Sequence, residues 1–434
     1  MKYFEADFIV VGSGAGGASV ARELLKAGKN VLILEKGKYH KRVGNHLSAL
    51  FYTDRMSFYF TKEGLNIVRG ITVGGSTVLY CGSSADPPDW LEKKYGINLK
   101  PYAEEIKKEL NVKPLPESFW GEGSRRIMQA AQRLGFKWEA IPKFMNPERC
   151  KKGFRCSSSC MVGCSCGAKW TAREYIDECV SKGARLVTKA EVHSLIIKNG
   201  RCTGARGMIG RDGFEARGKV ILAAGGIGTA MILRNSGIKG AGDGFSIDPT
   251  IIVYGVLKSG SGNFKDPPMT VGSYEFEKDG FMLSTLTDTW MSFPIQLFLK
   301  KKRMVFKAFK KRKILGIMVK TKDEIAGSID IEGNISKPLT DNDMKRMNMG
   351  SAISKMILIE AGCRPDSIFL SPVRGTHPQG TARTGEVLDE WGKVKGIDDL
   401  YVSDASWIPE ALDRPMVLTI MSFSKRLAEK LIKE

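Results

Sequence analysis

The stretch at residues 7–36, DFIVVGSGAGGASVARELLKAGKNVLILEK, decides the fold of this 434-residue chain. The apolar run at 8–11 predicts a buried strand, and residues 15–27 predict a helix that ends at Gly28. A second apolar run at 31–34 predicts another strand. This order of strand, glycine turn, helix and strand predicts a βαβ unit with a parallel sheet.

Three glycines of this turn, Gly12, Gly14 and Gly17, stand at the G-x-G-x-x-G spacing of dinucleotide-binding sites. The first permits a tight turn, and the second lets backbone N–H groups approach a pyrophosphate at the helix N-terminus. The third allows the helix to pack closely on the strand. Glu35, at the end of the second strand, is placed to accept hydrogen bonds from ribose hydroxyls. The unit predicts a bound dinucleotide and leaves FAD and NAD open.

The composition indicates a folded protein with a local excess of positive charge. With 42% hydrophobic residues, the chain can form one large core or two joined domains. The formal net charge is +20, and nine Lys or Arg without an acid fall between residues 300 and 313. Apolar residues interleave with these charges over 291–320. Such a mixture is typical of a peripheral contact with anionic lipid or of a solvated basic helix, and we expect no nucleic-acid binding.

The cellular location follows from two expected absences. The N-terminal apolar run is too short for a signal peptide, and no uninterrupted apolar stretch reaches the 18 residues of a transmembrane helix. We therefore expect a cytoplasmic protein, either in solution or peripheral on the cytoplasmic face of the membrane.

Four more motifs follow the first unit in order: RGITVGGST at 69–77, VILAAGGIG at 220–228, HPQGTARTG at 377–385 and LYVSDASWIP at 400–409. As an ordered set spanning residues 5–430, they resemble the glucose-methanol-choline (GMC) family of FAD-dependent oxidoreductases. The resemblance implies an α/β fold in which a Rossmann-like FAD-binding domain is interwoven with an α+β substrate domain built on an antiparallel sheet.

The resemblance also divides the chain. It assigns residues 1–100, 186–240 and 366–434 to the FAD-binding domain. Residues 101–185 become a helical segment with a cysteine-rich loop, and residues 241–365 become the substrate domain.

The family's FAD contacts carry over residue by residue. Gly12, Gly14 and Gly17 would hold the pyrophosphate, and Glu35 the adenosine ribose. The remaining contacts fall on Val192 at the adenine, on Gly74, Gly75 and Ser76 against the flavin, and on Asp404 and Ala405 at the ribityl side. Many members carry Asn where this chain has Tyr80, which makes the surroundings of the flavin different here.

His377 aligns with the family's catalytic histidine. Alcohol oxidation removes a hydroxyl proton while a hydride leaves the carbinol carbon, and an imidazole is suited to accept that proton. The family's second His or Asn would fall on Arg414, Pro415 or Met416, of which Arg414 could hold a developing negative charge. The resemblance thus implies oxidation of a hydroxyl-bearing small molecule, lipid-like in view of the basic and apolar segment. The departure at Arg414 favours one alternative, reduction of a lipophilic C=C or C=O group. A non-catalytic electron-transfer flavoprotein is the second alternative.

Residues 148–169, ERCKKGFRCSSSCMVGCSCGAK, hold five of the nine cysteines: Cys150, Cys156, Cys160, Cys164 and Cys166. Their spacing fits neither a zinc ribbon nor the bacterial ferredoxin run. Some GMC dehydrogenases carry an iron-sulfur cluster on a cysteine loop at this point, and residues 160–169 look similar to it. The resemblance predicts a [4Fe-4S] cluster in preference to [3Fe-4S], passing electrons to an external carrier. Another structural metal such as zinc, disulfides and unbound thiols remain the alternatives.

Overall fold

The computed structural model describes residues 1–150, 153–154, 156–289, 292–300 and 311–434. In these ranges the helices are α1 (Ala15–Lys26), α2 (His46–Ala49), α3 (Trp90–Tyr95), α4 (Lys100–Glu109), α5 (Glu122–Arg133), α6 (Ala172–Ser181), α7 (Gly225–Asn235), α8 (Ser292–Lys300), α9 (Asp341–Glu360) and α10 (Val417–Lys433). Residues 301–310, the centre of the basic segment, lie outside the described residues.

The strands of the same ranges are β1 (Lys2–Val11), β2 (Val31–Glu35), β3 (Tyr59–Phe60), β4 (Asn66–Ile67), β5 (Lys113–Pro114), β6 (Glu139–Ala140), β7 (Pro142–Lys143), β8 (Arg185–Thr188), β9 (Ala190–Lys198), β10 (Arg201–Ile209), β11 (Asp212–Leu222), β12 (Asp243–Phe245), β13 (Pro249–Val256), β14 (Val271–Ser273), β15 (Phe281–Thr285), β16 (Ile314–Thr321), β17 (Gly327–Ile329), β18 (Ile335–Ser336), β19 (Phe369–Leu370), β20 (Arg374–Gly375) and β21 (Leu400–Val402).

The first sheet has the strand order β8-β2-β1-β11-β10-β9, and β21 pairs with β11. β1 runs parallel to β2 and β11, while β10 is antiparallel to both of its neighbours. α1 connects β1 to β2 and ends where Gly28 adopts a φ of 77°. The predicted βαβ unit is therefore confirmed, and the predicted parallel sheet extends over five strands before the antiparallel pair.

The second sheet has the order β3-β4-β20-β13-β16-β15-β14-β6, and β19 pairs with β13. Its central pairs, β13 with β16 and β16 with β15, are antiparallel, and β20 is parallel to β4. The predicted α/β fold with a largely antiparallel substrate sheet is confirmed. β3, β4, β19 and β20 join this sheet, although they come from chain segments predicted for the FAD-binding domain.

Helices cover both sheets. α1 packs against α10 and α6 on the first sheet, and α9 packs against β13, β15 and β16 of the second. Within the described ranges, no helix combines the length and the apolar character needed to cross a membrane. Residues of both sheets line a large cavity, and the carboxyl ends of β1 and β2 border it.

Candidate active site

The cavity has a volume of about 600 Å³ and brings together most of the predicted site residues. Its lining includes one proton-transfer candidate, His377, and the cofactor candidates Gly12, Gly14, Glu35, Gly75, Ser76, Val192, Asp404 and Ala405. Gly17, Gly74 and Arg414 do not line it. Motifs that lie up to about 400 residues apart in the sequence therefore meet around one space.

The glycine turn has the geometry that its spacing predicts. Gly12 has a φ of 107°, and a Cβ there would lie 2.2 Å from the Ala223 carbonyl oxygen. A Cβ on Gly17 would lie 2.0 Å from the Gly12 oxygen, so Gly17 serves the packing of helix on strand. No heavy atom lies within 4 Å of a Cβ built on Gly14, which borders the cavity at the start of α1. This open N-terminus fits a pyrophosphate.

Glu35 is held at the end of β2 by three hydrogen bonds. Its Oε2 accepts from Ser13 N at 3.0 Å and from Ser13 Oγ at 2.6 Å, and its Oε1 accepts from Gly37 N at 2.7 Å. Burial raises the pKa of this carboxyl, while the hydrogen bonds oppose the shift. A carboxylate fixed in this way at the cavity wall has lone pairs left for ribose hydroxyls, as predicted for adenosine.

The second glycine motif packs directly on the first. Gly74 N donates to Ser13 Oγ at 3.1 Å, and a Cβ on Gly75 would lie 3.0 Å from Gly14 Cα. Gly74 has a φ of 89° and starts a short turn that places Gly75 and Ser76 on the cavity. These contacts place Gly74 behind the cavity wall and its two neighbours on it.

Asp404 links the end of the first sheet to α7. Its Oδ2 accepts from Gly225 N at 2.7 Å and from Thr229 Oγ1 at 2.5 Å, and its Oδ1 accepts from Ser406 N at 2.8 Å. Burial raises the pKa of Asp404, and these donors counteract it. The motif at 220–228 and the motif at 400–409 therefore meet at this carboxyl group.

His377 lies at the other end of the cavity, beside two residues that sequence reasoning missed. Its Nδ1 is 2.5 Å from Asp248 Oδ2 and 2.7 Å from Lys320 Nζ. Lys320 Nζ also forms an ion pair with Asp248 and lies 3.0 Å from Thr376 Oγ1. Thr376 Oγ1 donates to Asp248 Oδ1 at 2.5 Å. The four side chains form one hydrogen-bonded group.

The backbone around Asp248 is specially supported. Asp248 has a φ of 44°, which is uncommon for a residue with a side chain. The Asp323 carboxylate accepts from Ile247 N at 3.0 Å and from Asp248 N at 3.1 Å, and Lys337 Nζ lies 3.2 Å from Asp323. Strained conformations of this kind persist where the surrounding structure holds them, often at functional sites.

The hydrogen bonds decide which ring nitrogen of His377 faces a substrate. An ionised carboxylate can only accept, so the close contact with Asp248 assigns a proton to Nδ1. His377 lines the cavity, and Nε2 is then the ring nitrogen with a lone pair for a substrate proton. Burial lowers the pKa of His377, Asp248 acts in the opposite direction, and Lys320 lowers it further. The imidazole is thereby kept neutral to lower pH than an exposed histidine.

Arg414 is not brought to this group. Its Nε donates to Asp413 at 3.0 Å, and its Nη2 is paired with Glu277. The cavity is instead lined by Pro415 and Met416, the two other positions onto which the family's second His or Asn would fall. Neither Pro nor Met donates a hydrogen bond from its side chain. Among the residues described, Lys320 is therefore the cation adjacent to His377.

The five clustered cysteines converge, but their arrangement differs from the predicted ligand set. Cys150 and Cys166 are joined as a disulfide, and Cys164 Sγ lies 3.9 Å from Cys166 Sγ. A cavity of about 40 Å³ is lined by Cys156, Cys160, Cys164 and Cys166. Nowhere in the described ranges do three or more His, Cys, Asp or Glu side chains form a group that could hold a metal ion. The structure thus does not support the predicted cluster, because two of its sulfurs are bonded to each other.

Cys156 and Cys160 of the same loop form a polarised pair. A hydrogen bond from Cys156 and the ammonium groups of Lys169 and Lys143 lower the pKa of Cys160 to about 6, against its burial. Lys169 Nζ donates to the carbonyl oxygens of Cys160 at 2.9 Å and of Tyr80 at 2.6 Å. Lys169 therefore ties the cysteine loop to the segment that follows the second glycine motif.

The entrance of the cavity is apolar. Several side chains that line it are also exposed: Leu50, Met56, Phe58, Phe60 and Val68. Leu47 and Phe51 stand beside them and are 63% and 80% exposed. Contiguous exposed apolar side chains mark interaction sites or binding grooves. The entrance fits a lipophilic molecule better than a sugar.

Comparisons with known proteins show the family to which this chain belongs. Two family models described as GMC oxidoreductase match residues 6–250 and 366–424. An uncharacterized protein of Methanocaldococcus jannaschii is 29% identical over 98% of this chain and its own full length. A long-chain-alcohol oxidase of Arabidopsis thaliana is 24% identical over 99% of this chain and 67% of its own.

Solved structures show the same fold. Pyridoxine 4-oxidase from Mesorbium loti matches with a TM-score of 0.74 at 12% identity, over 99% of each chain. Formate oxidase of Aspergillus oryzae matches with a TM-score of 0.73 at 16% identity, over 100% of this chain and 99% of its own. The two family models together cover more than half of the sequence, and FAD is the cofactor that they support. This chain belongs to the GMC oxidoreductase family.

Proposed function

We propose that this FAD-dependent oxidoreductase oxidises the CH–OH group of a lipophilic alcohol to the corresponding carbonyl compound, with His377 as the proton acceptor. The observation that carries the proposal is the group of His377, Asp248 and Lys320, of which His377 and Lys320 line the same cavity as the glycine turn. His377 lines the cavity and is not closed off by an apolar wall, which favours a catalytic over a non-catalytic flavoprotein.

The residues of the chain account for the proton in this reaction. The hydroxyl proton of the alcohol passes to Nε2 of His377, and the resulting imidazolium is stabilised by the Asp248 carboxylate at Nδ1. The hydride leaves the carbinol carbon as the C=O bond forms. FAD, when bound, supplies the acceptor for that hydride and its two electrons. The buried position of Asp248 excludes water from the Nδ1 side of the ring.

A lipophilic substrate is supported by the apolar entrance and by the long-chain-alcohol oxidases among the relatives. We expect kcat/KM to rise by about fourfold per added methylene along a series of primary alcohols, until the cavity is filled, because each buried methylene contributes about 0.8 kcal/mol. Turnover would be measured with an artificial dye as electron acceptor. No turnover of any alcohol, combined with reduction of an unsaturated lipid by a reduced donor, would favour the reductase alternative.

We also propose that the entrance lies against an anionic membrane surface on the cytoplasmic side. The pKa of His46, which lines the cavity, is lowered by its partial burial and then by the nearby Lys311 ammonium. Lys311, which belongs to the basic segment, is therefore close to the cavity entrance, where Phe51 is exposed. In the same assay, a long-chain alcohol in anionic vesicles should turn over faster than in zwitterionic vesicles. Equal rates would contradict the contact.

An iron-sulfur cluster that passes electrons to an external carrier remains a proposal about the reduced cysteine loop. Its support is that four cysteines line one small cavity, and the Cys150–Cys166 disulfide opposes it. We expect protein purified under reducing, oxygen-free conditions to contain about four iron atoms per chain. Cys160→Ser should lose the iron, and Cys179→Ser, at a buried cysteine in α6, should retain it. Flavin absorption without iron would contradict the cluster.

A further inference from the structure

We propose that Lys320 is a positioning residue for the proton acceptor: its ammonium group pairs with the Asp248 carboxylate and holds His377 as a neutral imidazole with its proton on Nδ1. This inference deepens the proposed alcohol oxidation, and its catalytic meaning rests on that function.

Two strands fix the position of Lys320. It lies in β16, opposite Thr250 of β13, and its side chain is only 3% exposed. Asp248 directly precedes β13, and its side chain is fully buried. Thr376 and His377 follow β20, which pairs with β13 on the other side. Neighbouring strands therefore hold the cation, the carboxylate and the imidazole in register.

One assignment of protons satisfies both oxygens of the Asp248 carboxylate, and it leaves the 2.7 Å approach of Lys320 Nζ to Nδ1 as a contact between two donors rather than a hydrogen bond. Lysine can only donate, and an ionised carboxylate can only accept. If Lys320 donated to Nδ1, Asp248 would face a ring nitrogen without a proton at 2.5 Å. The proton therefore lies on Nδ1, and Lys320 donates to Asp248 and to Thr376 Oγ1. The Thr376 hydroxyl donates to the second oxygen of Asp248.

The charge balance gives Lys320 its effect. With a neutral imidazole, the buried group carries one positive and one negative charge. Protonation of His377 would add an unbalanced positive charge next to the ammonium group, 2.7 Å from Nδ1. Without Lys320, Asp248 and a protonated His377 would instead form a balanced ion pair, which would make the imidazole a proton carrier before substrate arrives.

The other charged groups around His377 are already paired. Arg374, on the same segment as His377, binds Asp288 through two hydrogen bonds of 2.6 and 2.9 Å. Asp323, behind Asp248, is paired with Lys337, and Asp404 accepts from the loop at α7. In the described part of the chain, Lys320 and Asp248 are thus the charges that directly face the imidazole.

The test is the proton titration of His377 in the FAD-loaded protein after Lys320→Met. The chain has four histidines, so their Cε1–H signals can be followed by NMR, and His377 is assigned by its loss in His377→Asn. We expect the Asp248 and His377 pair to take up its proton at a pH higher by about one unit in Lys320→Met. The ratio of kcat/KM at pH 8 to that at pH 6 should rise by about three- to sixfold.

Two variants control for a merely structural effect. Lys320→Arg keeps the charge, and its titration should stay close to that of the wild type. Lys322→Met removes a neighbouring ammonium group that pairs with Glu410 at 2.9 Å, and it should leave the titration unchanged. If Lys320→Met does not fold, Lys320→Gln replaces it with the same expectation. An unchanged titration in the uncharged variant, or an equal change in Lys320→Arg, would overturn the inference.

The titration separates this inference from the proposed function. It needs no substrate, so an unshifted His377 signal would contradict the role of Lys320 even if alcohols are oxidised. Absence of alcohol turnover, with the shifted signal present, would contradict the proposed function alone.

Discussion

Replacing His377 with asparagine should lower kcat/KM for the substrate alcohol by about 10²–10⁴-fold, the usual contribution of a positioned general base. Asparagine keeps a similar size but cannot accept the hydroxyl proton. In the wild type, activity should fall as pH drops through the pKa of His377. Because burial lowers that pKa, the loss should occur below the ordinary value of about 6.5.

Two control measurements accompany this experiment: the FAD content of the variant and the chemical reduction of its FAD. His377→Asn should contain as much FAD per chain as the wild type, as measured by visible absorption, because the glycine turn is unaffected. Dithionite should reduce the bound FAD in both proteins. A loss of activity smaller than about tenfold would show that His377 is not the proton acceptor.

Substitutions at two glycines of the same turn should affect different properties: one should lower the stability of the fold, and the other should weaken FAD binding. A Cβ on Gly17 would lie 2.0 Å from the Gly12 oxygen, so Gly17→Ala should lower the free energy of unfolding by about 3 kcal/mol. Gly14 has a φ of −71° and open space around its Cβ position. Gly14→Val should therefore leave the stability of the FAD-free protein unchanged.

Gly14→Val should instead weaken FAD binding by about 10–100-fold, because the valine side chain occupies the space of the pyrophosphate. Urea unfolding of the FAD-free proteins and fluorescence titration with FAD measure the two effects separately. Wild-type FAD affinity in Gly14→Val would show that the pyrophosphate does not bind at this turn.

The first sheet was predictable because its information is local. Within residues 7–36, strand, turn and helix have distinct periodicities, and Gly12, Gly17 and Gly28 each have a conformation or a close contact that requires glycine. His377 could be identified from its motif. The position of each of these residues depends mainly on neighbours in the sequence.

Asp248 and Lys320 could not be placed in this way. They meet His377 through pairing of β20, β13 and β16, and both long strands are buried on both faces. A strand without alternation gives no register from sequence. The available signal was weaker: Lys320 is a charged residue near the end of an otherwise apolar strand, and such residues are rarely buried without a partner.

Arg414 and the cysteines show a second limit. The position of Arg414 relative to the cavity depends on the conformation of the loop before α10, where a one-residue shift exchanges Arg414 for Pro415 or Met416. The spacing of the five cysteines indicates that they can approach one another, but it does not specify which sulfurs pair. Both questions depend on backbone conformations that no periodic pattern encodes.

The proton acceptor and its partners all come from the second sheet, whereas the glycine turn, Glu35 and Asp404 belong to the first. The residues for substrate chemistry and those for cofactor binding therefore belong to different sheets and can change independently. Substitutions confined to the second sheet could change the substrate and the proton-handling residues while the glycine turn and Glu35 stay the same. Diversification within the fold would then proceed without rebuilding the nucleotide cradle.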